Sequence, residues 1–108
     1  MIIIKSGPEK GLKAGEGLRL VAAMLGMDHI PIIVFMEEGV RCLLRGPYGE
    51  TGSEYLKTAA DLAGINVLSD SLEDLGGIEA IEPELDAKLI DIGQLASMMV
   101  ECNVIATF

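Results

Sequence analysis

Residues 29–46 read "HIPIIVFMEEGVRCLLRG", and the fold class turns on the first half of that stretch. "HIPIIVFM" is apolar without the polar alternation of a strand that has one wet face, so it reads as a strand buried on both sides. Pro31 sits near its start, where a missing N–H is tolerated. Two glutamates and a glycine then break the run. "EEGVRCLLRG" fits a short helix, with Glu37 and Glu38 at its positive end, Arg45 near its negative end, and Gly46 and Pro47 closing it.

The same alternation of element types extends in both directions. Upstream, "MIIIKS" (1–6) is a buried strand, "GPEKGLKAGEG" a glycine-rich connection, and Leu18, Val21, Ala22 and Leu25 recur at helical spacing in a helix that starts near Leu12 or Ala14 and ends at Gly26. Downstream, "SEYLKTAADLAG" (53–64) reads as a helix with Ser53 as N-cap and Gly64 as stop. "INVLS" (65–69) is a third strand, and residues 70–83 are irregular and acidic, with one helical turn at 72–75. "AKLIDI" (87–92) is a fourth strand, "GQLASMMVEC" (93–102) a helix and "NVIATF" (103–108) a fifth strand. Strands alternating with helices predict βαβ units, hence an α/β domain whose largely parallel sheet is covered on both faces.

The totals agree with this and exclude several functions. The 108 residues make one domain, half of them hydrophobic and only 4% aromatic, so the core is mostly aliphatic. A net charge of −9 argues against direct binding to a nucleic-acid backbone. No apolar run approaches the roughly 18 residues of a membrane span. No basic segment followed by an apolar one marks a secretory signal. Two cysteines sixty residues apart form neither a disulfide framework nor a metal site, so neither metal nor cofactor is expected, and the expectation is a cytoplasmic protein with reduced thiols.

Cys42 is the candidate for chemistry. Arg41 adjoins it and Arg45 lies three residues on, in a chain with eight Lys and Arg in all. Nearby cations favour a thiolate, which could take up sulfur with Arg41 and Arg45 binding the resulting anion. Burial would instead leave a small inert hydrophobe. Both readings are open, and exposure decides between them. Cys102 reads as core packing and His29 as a residue at the sheet rim. "GEGLRL" has Leu20 where a dinucleotide fingerprint needs its third glycine, so the glycines of residues 7–17 read as a turn. Residues 70–91 carry eight acidic side chains and one lysine, either a solvated face or a surface for a basic partner. A small-molecule site at the carboxyl ends of the strands is a further possibility, built from Ser6–Lys10, Glu37–Val40 and Ser69–Ser71.

"VFMEEGV" followed by "LLRG" resembles the DsrE/DsrF/TusCD family of small sulfur-relay proteins. The resemblance continues in the "KSGPEKG" turn after the first strand, "FxxxGV" at Phe35, Gly39 and Val40, the "SLEDLG" turn after the third strand, and a last strand ending in Phe108. It spans essentially the whole chain, and "GVRCLLRG" is most similar to the DsrF/TusC branch. It implies a three-layer α/β/α sandwich around a five-stranded parallel sheet. It also implies homo-oligomers, or hetero-oligomers with related subunits, and transfer of persulfide sulfur between proteins. Catalytic members carry the persulfide on a cysteine at the end of the third strand, a position matched here by Leu68. The resemblance therefore implies an accessory sulfurtransferase subunit rather than a carrier, unless Cys42 takes that part.

Overall fold

The structure, a computed structural model, describes the backbone of residues 1–8, 12–44 and 50–108 and the side chains of 1–8, 13–44 and 55–108. Five short strands form one sheet: β1 (Ile2–Ile4), β2 (Ile33–Phe35), β3 (Asn66–Leu68), β4 (Lys88–Ile90) and β5 (Ala106–Thr107). Their order is β4-β3-β2-β1-β5 and every pairing is parallel. Three helices accompany them: α1 (Leu12–Gly26), α2 (Glu50–Leu62) and α3 (Ile92–Val100). The expected α/β class and five-stranded parallel sheet are both present.

Side-chain alternation divides the core. Ile2, Ile4, Ile33, Phe35 and Val67 point to the face covered by α1 and α2, where Ala14, Leu18, Val21, Leu56 and Ala59 meet them. Ile3, Val34, Leu68 and Ile90 point to the other face and pack on Leu95 of α3, with Met1, Met36 and Met98 at the margin. Both faces of β1 and β2 are therefore dry, which is why their sequences lack polar alternation.

Several elements differ from the sequence reading. The stretch after β2 is a 3₁₀ helix, Glu37–Leu43, rather than a short α-helix. Its predicted end at Arg45, Gly46 and Pro47 lies outside the described residues. Helix α2 starts at Glu50, so Ser53 is inside it and not its cap. The acidic crossover between β3 and β4 holds three 3₁₀ stretches, Ser69–Leu75, Gly77–Ala80 and Pro83–Leu85, where the sequence indicated a single helical turn. They pack on the α1/α2 side through Leu72, Ile81 and Leu85. All five strands are shorter than their apolar runs, because pairing with neighbours rather than hydrophobicity ends a strand.

Helix α3 begins one residue earlier than its pattern indicated, because Asp91 caps it. The Asp91 carboxylate accepts the Gln94 amide at 2.7 Å, while the Gln94 side-chain oxygen accepts the Asp91 amide at 2.8 Å. This reciprocal pair satisfies two groups that a helix start otherwise leaves without partners. Replacing Asp91 with Ala should cost about 1 kcal/mol of stability; equal urea midpoints for the variant and the parent would refute the capping role.

Candidate functional site

The carboxyl ends of the parallel strands converge on one rim. β1 leaves at Lys5 and Ser6, β2 at Glu37 and Glu38, β3 at Ser69–Ser71, and β5 at Phe108. The chain builds outward from β1 toward β4 and then returns to place β5 on the other side of β1. β1 and β5 thus lie side by side, and the crossover that leaves β1 runs away from β5 toward β2. A cleft of about 520 Å³ lies there, lined by Lys5, Ser6, Lys13, Glu16, Glu37, Thr107 and Phe108.

The backbone around this rim is tightly constrained. The Met36 amide donates to the Ile4 carbonyl at 3.0 Å, carrying the exit of β2 over the end of β1. Gly39 then lies against the same carbonyl. A Cβ added at Gly39 would fall 2.0 Å from the Ile4 oxygen, well inside contact distance. That close approach gives the "FxxxGV" pattern its physical meaning, since only a residue without a side chain lets the 3₁₀ turn seat on β1. Glu37 has a φ of 51°, an unusual left-handed conformation for a residue with a side chain. Its amide donates to the Ser71 hydroxyl at 2.8 Å and its carboxylate lies 3.6 Å from Lys5 Nζ. Ser71 therefore joins the exits of β2 and β3.

Of the two readings of Cys42, the structure shows the buried one. Cys42 is 1% exposed and belongs to the core under α1 and α2. Its Sγ donates to the Ser6 carbonyl at 3.5 Å. The 3₁₀ helix, seated by Gly39, turns Val40, Cys42 and Leu43 inward and Glu37 and Glu38 outward. This corrects the reading of Cys42 as an exposed sulfur acceptor: the segment's tighter winding places the cysteine on the buried side. The Arg41 guanidinium meets Glu38 at 2.8 Å, and Arg45 lies outside the described residues. Leu68 ends β3 as the pattern indicated and is buried beside Ile90 and Val34. Cys102 is part-buried just past α3, its Sγ donating to the Met98 carbonyl at 3.2 Å.

Of the rim residues named from sequence, Ser6 and Glu37 line the cleft and Ser71 braces it. Lys13, Glu16, Thr107 and Phe108 were not foreseen, because they reach the cleft only once β5 is known to flank β1. Away from the rim, Lys57 is held protonated above the usual lysine range by its hydrogen bond to Glu84 and that residue's charge. Among the described residues no three or more His, Cys, Asp or Glu side chains converge as a metal site. No helix among them is long and apolar enough to cross a membrane.

No family model matches the chain, and no curated protein matches it. Among solved structures, the crystal structure of the ychN protein from E. coli superposes with a TM-score of 0.76, covering 99% of this chain and 97% of that one at 19% identity. The chain shares that fold over its whole length.

The Gly39 contact yields a sharp expectation. Gly39→Ala should destabilise the protein by about 2–4 kcal/mol, because backbone rather than a mobile side chain blocks the new methyl. A urea midpoint within error of the parent would show that the turn can move off β1 freely.

Proposed function

We propose that the chain is a noncatalytic, oligomer-forming subunit of a persulfide sulfur-relay system. The observation that carries this reading is Leu68 at the carboxyl end of β3, the position where the family it resembles places its sulfur-carrying cysteine. In persulfide transfer, a thiolate attacks the outer sulfur of a donor persulfide. An S–S bond forms on the acceptor while the donor's S–S bond breaks, and the donor leaves as a thiolate. A leucine has no group for either half of that exchange. Cys42 is packed beneath the rim with its sulfur on the Ser6 carbonyl. The fold shared with ychN and the motif order support placement beside sulfur-relay proteins rather than with nucleotide-binding ones.

The test has two arms. Intact mass after incubating the reduced protein with a persulfide donor should show no reducible gain of a sulfur atom. A gain that vanishes in Cys42→Ser or Cys102→Ser would make this chain a carrier and end the noncatalytic reading. In the second arm, a cysteine-bearing relay protein of the same fold should form a complex with this chain and transfer sulfur at a changed rate. Neither complex nor rate effect would remove the accessory role.

A second reading is favoured by one specific feature, the cleft at the carboxyl ends of β1 and β5. Such crevices bind ligands in open α/β sheets, and this one holds two lysines, two carboxylates, a hydroxyl pair and one aromatic ring. Under this reading the chain is a small-molecule binding module. Native mass spectrometry of the purified protein should then show a retained ligand that Lys13→Glu releases. A clean apo mass, with none of a panel of small zwitterions and anions raising the melting temperature, would count against it.

A further inference from the structure

The 3₁₀ helix Glu37–Leu43 is held from two sides. On one side it sits on β1, through Gly39 against the Ile4 carbonyl and the Cys42 Sγ on the Ser6 carbonyl at 3.5 Å. On the other it is tied at both ends to the acidic crossover between β3 and β4. The Glu37 amide donates to the Ser71 hydroxyl at 2.8 Å. The Leu43 carbonyl accepts the Glu82 amide at 3.0 Å, next to an antiparallel bridge between Leu44 and Ile81. The crossover thus lies along the helix as a strap, and Cys42 falls between its two ties.

The strap is lightly built. Of residues 69–87 only Leu72, Ile81 and Leu85 are buried, whereas β1 and β2 are buried throughout. Left-handed residues punctuate its three 3₁₀ stretches, Gly76 and Gly77 between the first two and Asp86 after the last. Hydrogen bonds in 3₁₀ helices are poorer than those of α-helices. The strap carries seven carboxylates and no Lys or Arg, and like charges on so short a segment repel one another. Among the described residues one of the seven, Glu84, meets a cation, Lys57 at 2.7 Å. The 3₁₀ helix adds strain of its own at Glu37, with its φ of 51°. Segments with few buried contacts and weak hydrogen bonds are those that open locally in native proteins.

We infer that the strap and the 3₁₀ helix form one closure, which opens as a unit while the sheet stays folded and sets how far the Cys42 thiol is reachable. The paired ties make the two parts move together. Glu37 leaves its left-handed turn by releasing Ser71, and Leu43 leaves the core by releasing Glu82. The cleft shares the closure, because Ser6 and Glu37 line it. The inference depends on neither functional reading above: it concerns access to the thiol, whatever the thiol does once reached.

Alkylation of Cys42 by N-ethylmaleimide, followed by intact mass in a Cys102→Ser chain, tests this. The reagent is neutral, so the charge of the chain does not bias its approach. Urea titration of the same chain gives the unfolded fraction. That fraction, multiplied by the labelling rate of the unfolded chain, is the rate that global unfolding alone allows. The expected rate is at least about tenfold above this, nearly flat at low urea because local opening exposes little surface, and well below that of the unfolded chain. Ser71→Ala should raise it about fivefold, the equivalent of one hydrogen bond. Glu37→Gly should lower it about threefold, because glycine adopts the left-handed turn without strain. Far-UV circular dichroism confirms that both variants fold. Labelling no faster than global unfolding allows, or as fast as in the unfolded chain, would overturn the inference. So would a rate that either variant leaves unchanged or moves the opposite way. Maleimide capture and persulfide uptake are separate readouts, so failure of the noncatalytic reading leaves this result standing.

Discussion

The carbonyl of Ile4 organises one end of this molecule. It accepts the Met36 amide at 3.0 Å and has Gly39 pressed against it. That double contact seats the 3₁₀ helix on β1 and sets what faces in and what faces out. Val40, Cys42 and Leu43 go to the core, while Glu37 and Glu38 stay at the surface. It also carries Glu37 into a left-handed backbone, where its amide finds Ser71. Such a conformation costs on the order of 1 kcal/mol or more and persists only where its surroundings hold it. Here the glycine contact on one side and the Ser71 hydroxyl on the other do so. The rim between β1, β2 and β3 is therefore built before any ligand or partner is considered.

Burial of Cys42 is the consequence that bears most on chemistry. Two arginines close to a cysteine in sequence are a reasonable sign of an activated thiol, because cations favour the thiolate. The effect needs the sulfur to be reachable by a donor. The identity of the neighbours was readable from the sequence; the winding of the segment was not. An α-helix starting near Glu38 sets Cys42 to one side of the apolar stripe, whereas the 3₁₀ helix turns it inward against Ser6. About 20° per residue separates the two windings, roughly 80° over the four residues from Glu38 to Cys42, and no periodicity over seven residues resolves that difference.

Elsewhere, what could be read from residues follows the range of the interaction. "MIIIKS" and "HIPIIVFM" announced buried parallel strands because both faces of β1 and β2 must be apolar, a constraint written into each residue in turn. The α1 stripe and the breaks at Gly26 and Gly64 are local in the same sense. Strand order is not local. Nothing in "NVIATF" says that it pairs with β1 rather than β4, so the crevice of Lys13, Glu16, Thr107 and Phe108 was hidden even though Ser6 and Glu37 had been singled out. The acidic crossover was hidden for another reason. Its three 3₁₀ stretches are held by scattered anchors, Leu72, Ile81 and Leu85, and by the Glu82 amide donating to Leu43, which produce no regular pattern.

The two ends of the chain's chemistry fit together once charge is considered. Eight carboxylates lie between residues 70 and 91, the last of them capping α3, while from Ile92 on the chain carries one charged side chain, Glu101, and exposes apolar side chains on α3 and the neighbouring strands. The structure thus separates a rim shaped by Gly39 and Ser71 from a weakly charged face presented by α3.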